Sequence, residues 1–187
     1  TGDGGRDGFA VRMKADFSFA TKVQVFPSPG ASGYARLKRV IPDGNVATAA
    51  GRIAGIGPSV VRLKEDASVD WQKAYGKPTW NIIDMASLPD GFLIAGNGAS
   101  ADGSYALALA LRISPDGSQL WQTLGTAKNG QWYSASVFPD GRLLLGGTAE
   151  TVPVDQIDAT VAVCDAFGNC DCSITGACLG TKPADCD

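Results

Sequence analysis

The segments VRLKEDASVDW (61–71) and LRISPDGSQLW (111–121) share one frame: an aliphatic-Arg-aliphatic phrase, a polar turn with a central Asp, and a Trp. Arg62 and Arg112 stand 50 residues apart, as do Trp71 and Trp121. Val11-Arg12-Met13 is an earlier copy of the phrase, and Val161-Ala162-Val163 is a degenerate fourth. Self-similarity at a fixed period of this size marks one supersecondary unit used repeatedly, so its recurring residues are read as architecture before chemistry.

A second mark punctuates each period. Pro42-Asp43-Gly44, Pro89-Asp90-Gly91 and Pro139-Asp140-Gly141 are compact turns, in which Pro presets φ, Asp bonds its own backbone and Gly tolerates positive φ. Between the marks lie short runs of Val, Leu, Ile and Ala, and none sustains helical periodicity. The reading is four strands per period: 34–41, 45–50, 59–64 and 69–75 in the first full unit, repeated over 80–124 and 132–174. The segments 9–13 and 21–25 supply only the last two strands of a unit.

A four-stranded antiparallel unit of about 50 residues is the size of a β-propeller blade. The expectation is an all-β, β-propeller-like array of about three and a half blades, with repeats over 1–163. It comprises a half-blade at 1–29 and blades at 30–77, 78–127 and 128–174, the last overlapping a short disulfide-rich tail at 164–187. A half-blade without inner strands leaves open sheet edges, which seek partners. The chain is therefore expected to be a fragment or processed product, completed by upstream sequence or by another chain.

Composition limits the function. Sixteen Lys+Arg against 19 Asp+Glu give a net charge of −3 with no basic run, which argues against nucleic acid. No apolar stretch reaches transmembrane length, and Thr1-Gly2-Asp3-Gly4-Gly5 lacks the regions of a signal peptide, so an export signal is expected upstream. The chain contains no histidine, which removes Ser-His-Asp and Cys-His mechanisms within it. Cys164, Cys170, Cys172, Cys178 and Cys186 all fall in the last 24 residues. This clustering reads as a disulfide-stapled segment in an oxidising compartment: extracellular, cell-surface or periplasmic. The odd count leaves 15 pairings open, and metal binding is the rival reading.

The passages at 2–12 and 158–163, with Trp71-Gln72-Lys73-Ala74-Tyr75-Gly76 and the stretch PDGFLIAG (89–96), resemble the bacterial seven-bladed β-propeller repeat family. The tail from Cys164 resembles the start of a δ-proteobacterial Cys/Asp-rich segment of large secreted or surface proteins. The resemblance implies a secreted or cell-surface bacterial protein and a binding or adhesion role.

Each candidate site residue has a structural role as its rival. Arg12, Arg62 and Arg112 invite comparison with a carboxylate-gripping arginine cluster, but successive copies sit on separate blades, so solvent-facing strand positions are expected. Trp71 and Trp121 are assigned to packing between blades. Tyr34, Trp80, Trp132 and Tyr133 enter successive blades and are the ligand-binding candidates, against the alternative of plugging gaps between blades. No cofactor is required, although Asp3, Asp7, Asp155 and Asp158 are calcium candidates, against plain turns.

The function expected is a non-enzymatic binding or scaffold module, with a glycan or surface protein as ligand. One alternative is part of a carbohydrate-active propeller enzyme, a lyase or glycosidase, for which the inner strands offer only Asp84. The other is a structural subunit of an extracellular assembly, joined by strand addition.

Overall fold

Glycine decides how each large sheet of this protein is built. The computed structural model describes residues 8–11, 23–26, 35–53, 56–151 and 156–173, and all the regular structure among them is β-strand. Strands β1 (Gly8–Val11) and β2 (Val23–Phe26) form an antiparallel pair. The first four-stranded sheet is β3 (Arg36–Asp43), β4 (Val46–Ile53), β5 (Gly57–Leu63) and β6 (Val69–Ala74). The second is β7 (Asn81–Leu88), β8 (Gly91–Ala99), β9 (Ala106–Ile113) and β10 (Gln119–Leu124). The third is β11 (Gln131–Val137), β12 (Leu143–Thr151), β13 (Gln156–Cys164) and β14 (Cys170–Ser173). Every neighbour within a sheet is antiparallel and consecutive in sequence, so each sheet is a simple meander.

All three first strands carry the same defect. In β3 the register skips Lys38 between Leu37, opposite Gly51, and Arg39, opposite Ala50. In β7 it skips Ile83 between Ile82, opposite Gly96, and Asp84. In β11 it skips Tyr133 between Trp132, opposite Gly147, and Ser134. Each extra residue bends its strand and brings a carbonyl oxygen against the facing glycine. A Cβ on Gly51, Gly96 or Gly147 would lie 2.0 Å from the backbone oxygen of Arg36, Asn81 or Gln131 respectively. Only hydrogen fits there.

The Pro-Asp-Gly phrases mark the first hairpin of each sheet, but not identically. Pro89-Asp90 and Pro139-Asp140 occupy the turn itself, whereas β3 continues through Asp43 and the chain reverses at Gly44-Asn45. The second hairpin turns are equivalent across the sheets, with Gly117 and Gly168 at φ +78° and +84° and Ala67 at +61°.

The chain divides into two compact units, Thr1–Thr79 and Trp80–Asp187. In the first, Phe26 of β2 joins Ala49, Ile53, Val61 and Leu63 in a core closed by Leu37 and Val69, and β1 lies beside β3. In the second, β11 packs across β7, β8 and β9. Leu93, Ala95, Ala108 and Ala110 of the second sheet meet Trp132, Leu143, Leu145, Ala162 and Cys164 of the third. Alternation supplies this face: residues at every second position of β12 and β13 point inward.

Gly96→Ala is expected to cost at least about 3 kcal/mol in urea unfolding, because its methyl meets rigid backbone. Gly103→Ala, at φ +75° in open space, is the comparison and should cost about 1 kcal/mol from conformation alone.

Candidate functional site

The repeated arginines are held inside the sheets. Arg62 pairs across the ladder with Trp71, and Arg112 with Trp121. Each arginine reaches past the second strand of its sheet to the aspartate of the first hairpin. Arg62 Nη2 meets Asp43 Oδ2 at 3.1 Å, and Arg112 Nη2 donates to both carboxylate oxygens of Asp90 at 2.7 Å. Their side chains are only 18% and 11% exposed, which corrects the expectation of solvent-facing positions. The reason is geometric: the Pro-Asp-Gly turn brings an anion alongside the third strand, so each guanidinium is largely covered within its sheet while the aspartate it meets stays 65% exposed. Arg12 lies outside the described residues.

Arg112 and Trp121 also reach the next sheet. Arg112 Nη1 and Trp121 Nε1 both donate to the carbonyl oxygen of Ala166, the latter at 3.0 Å. Ala166 lies in the turn between β13 and β14, and Gly168 of the same turn rests on the Trp121 ring, where a Cβ would approach to 3.1 Å. Trp121 therefore packs between sheets, as its spacing suggested. On the first strand of the second sheet, Asp84 Oδ2 accepts a hydrogen bond from the Ala135 backbone N–H of β11 at 3.0 Å. The one acid that the enzyme alternative relied on is thus an inter-sheet tie.

The third sheet breaks the pattern. Its register places Val163 where the second sheet has Arg112, and Asp171 where that sheet has Trp121. The degenerate copy is thus centred on Val163, one residue beyond the position given by a strict 50-residue spacing. Asp140 is engaged by Arg142 two residues away, through Nε at 2.8 Å and the backbone N–H at 3.1 Å, and these bonds hold its carboxyl below the ordinary range. Cys164 and Cys170, which face each other at the end of this hairpin, form a disulfide. Cys172 lies within β14, and Cys178 and Cys186 lie outside the described residues.

Among the aromatic candidates, burial separates neighbours. Trp132 is 1% exposed and Tyr133, on the bulge beside it, is 52% exposed. Trp80 is also buried. Facing glycines make room for both indoles: a Cβ on Gly147 would come within 2.8 Å of the Trp132 ring, and one on Gly98 within 3.2 Å of the Trp80 ring. Tyr133 is the exposed member of the set, and Tyr34 lies outside the described residues. Asp3, Asp7 and Asp155 also lie outside them, and the Asp158 carbonyl accepts from Thr160 Oγ1 at 3.5 Å. Among the described residues no group of three or more His, Cys, Asp or Glu side chains is gathered as metal ligands would be.

Carboxylates organise several of the turns, Asp66 and Asp116 by bonds from Ser68 and from Ser114 and Ser118, and Asp102 and Asp165 as follows. Asp102 Oδ1 accepts from Ser100 Oγ at 2.6 Å, Ser104 Oγ at 2.8 Å and Ser104 N–H at 3.1 Å. These bonds, the Ser100 hydroxyl first, lower its pKa from 3.8 to about 2. Asp165 binds the Asn169 side chain and the N–H groups of Phe167 and Asn169, and its carboxyl is likewise held low, chiefly by the Asn169 amide. No protein-family model and no curated protein matches this chain at a significant level.

Trp121→Phe keeps an aromatic side chain of smaller size and deletes the N–H bond to Ala166, so it is expected to cost about 1 kcal/mol or more in chemical denaturation. It should also speed amide exchange in the 165–169 turn. Because the Asp102 carboxyl is depressed, the order it gives the 100–105 turn is complete above pH 3.8 and is lost as the pH falls toward 2. An NMR pH titration of the Ser104 amide should track that window, and Asp102→Asn should remove the transition.

Proposed function

We propose that this chain is a non-enzymatic binding or scaffold module whose four-stranded sheets are successive blades of a propeller-like array, and that another sheet, from a longer polypeptide or a second chain, covers its last blade. The observation that carries this reading is an apolar face of the third sheet within the Trp80–Asp187 unit that no other described sheet covers. The second sheet presents Leu93, Ala95, Ala108 and Ala110 to the third. By register, the equivalent face of the third sheet is Leu144, Gly146, Ala159 and Val161, with Ile157 beyond. On it Val161 is 39% and Ile157 63% exposed. Apolar side chains at the positions that a neighbouring sheet buries one step earlier favour a further layer of the same kind.

The polar groups at the repeat positions favour architecture over catalysis. Arg62, Arg112, Asp43, Asp90 and Asp84 are each engaged in holding strands or sheets together. The Cys164–Cys170 disulfide suits an oxidising compartment, in keeping with a secreted or surface location.

Sedimentation velocity tests the reading. The chain is expected to self-associate with concentration, or to bind the missing sheet when that is supplied, through the open face of the third sheet. Val161→Lys should weaken association about tenfold or more. A concentration-independent, compact monomer that behaves identically with and without the substitution would overturn the proposal.

A further inference from the structure

The turn between β13 and β14 differs from its counterparts at one exposed position. All three second hairpin turns close with the same pair of backbone bonds. Lys64 N–H bonds Ser68 and Ala67 N–H bonds Lys64 in the first sheet; Ser114 bonds Ser118 and Gly117 bonds Ser114 in the second; Asp165 bonds Asn169 and Gly168 bonds Asp165 in the third. Asp66, Asp116 and Phe167 therefore occupy one equivalent place. The two aspartates are exposed and accept bonds from Ser68 and Ser118. In the third turn that role passes to Asp165, two residues earlier, and a phenylalanine stands where the aspartate was. Phe167 is 80% exposed, more than any other large apolar residue among the described residues.

A second replacement stands beside it. The register of β10 skips Leu120 between Gln119, opposite Ile113, and Trp121, opposite Arg112. In the first sheet the same bulge falls on Asp70, between Val69 and Trp71. Leu120 is 52% exposed, so a leucine of the second sheet takes the place of an exposed carboxylate of the first. Both apolar residues border one indole. Leu120 precedes Trp121 in the chain, while Ala166 and Gly168, on either side of Phe167, accept its N–H bond and pack against its ring. A single exposed apolar residue is ordinary; two that replace aspartates at repeated positions and border the same ring form a patch with a use.

The support under Phe167 is firm. Asp165 accepts the Phe167 N–H at 2.8 Å, the Cys164–Cys170 disulfide closes the hairpin, and the Ala166 carbonyl is held by Arg112 and Trp121. A side chain presented on such a turn loses little freedom when it is bound. Carboxylates surround it: Asp165 in the same turn, exposed Asp116 in the turn leading into β10, and exposed Asp90, joined to Ala166 through the Arg112 guanidinium. We propose that Leu120 and Phe167 anchor a protein partner, a polypeptide segment that presents an apolar side chain flanked by lysine or arginine. Burial of the two side chains supplies affinity, and the acidic rim selects cationic neighbours. A bilayer with anionic headgroups offers the same apolar depth but meets these carboxylates with like charge. The inference gives the binding module proposed above a partner, but it uses no residue of the Val161 face and does not require a further sheet.

Selection of a random-peptide display library on the full chain tests it, with the Leu120→Asp/Phe167→Asp double variant as the counter-selecting surface. These substitutions copy the residues that the first sheet carries at the same places, Asp70 and Asp66, so the fold is expected to be kept. Peptides that discriminate the two chains should carry an aliphatic or aromatic residue beside lysine or arginine. In fluorescence polarisation, a selected peptide should bind the double variant about tenfold or more weakly than the parent. Asp116→Asn should cost about threefold and flatten the salt dependence, and Val161→Lys should change nothing. Should the aspartates disturb the fold, Leu120→Ser and Phe167→Ser carry the same test without added charge. The proposal is overturned by a selection that yields no discriminating peptide, by enrichment of acidic or wholly polar sequences, or by equal affinity for parent and double variant. Tighter binding to phosphatidylglycerol vesicles than to the peptides, or self-association that the double variant abolishes, would assign the patch to a bilayer or to a second copy and overturn it equally. The sedimentation behaviour through Val161 is measured separately, so the two readings fail separately.

Discussion

The close approach of a carbonyl oxygen to a glycine, made three times over, is the constraint on which the rest of the molecule rests. Each first strand carries one residue too many, and the bulge presses the oxygen of Arg36, Asn81 or Gln131 onto Gly51, Gly96 or Gly147. The resulting bend re-aims the side chains beyond it. It turns Tyr133 outward while Trp132 stays inside, and it sets Asp84 where it can receive the Ala135 N–H of the neighbouring sheet. A bulge is normally a local irregularity; here it is the device by which the first strand of a sheet presents side chains.

At the other end of each sheet the ordering principle is charge. A guanidinium on the third strand spans the second strand and holds the turn of the first hairpin, so Arg62 and Arg112 bind three strands through one side chain. In the second sheet the same guanidinium, with the Trp121 indole, takes the carbonyl of Ala166. Apolar burial between Leu93, Ala110, Leu145 and Ala162 drives the two sheets together, and these directed bonds fix their alignment. The disulfide between Cys164 and Cys170 closes the hairpin that offers the carbonyl, so the acceptor is held in place covalently as well as by its own turn bonds.

Strand order was legible because turn chemistry is local. Pro-Asp-Gly, the Asp-centred second turns and the flanking aliphatic runs locate the 14 strands among the described residues, including the two-stranded start and the short β14. What escaped the sequence depends on partners far along the chain. The burial of Arg62 and Arg112 requires knowing that Asp43 and Asp90 come alongside them, about 20 residues away in sequence. Loop anchoring and burial both stayed open for Trp80 and Trp132, because the glycines that admit their rings, Gly98 and Gly147, belong to another strand. The pairing of Cys164 with Cys170 was one of many arithmetical possibilities until the ladder set them opposite each other.

The contact between the second and third sheets joins unlike surfaces. One sheet contributes Arg112, Trp121 and the Asp84 carboxylate, and the other contributes a turn carbonyl and a backbone N–H. Such a joint is heterologous: it has a head and a tail, and nothing within it limits how many members can be added. The limit lies in the third sheet, where Val163 and Asp171 stand in place of the arginine and tryptophan. Among the described residues it receives the polar clamp of its predecessor and carries neither an arginine nor a tryptophan at the positions from which the second sheet extends one, so its two sides are unlike in the polar contacts they offer.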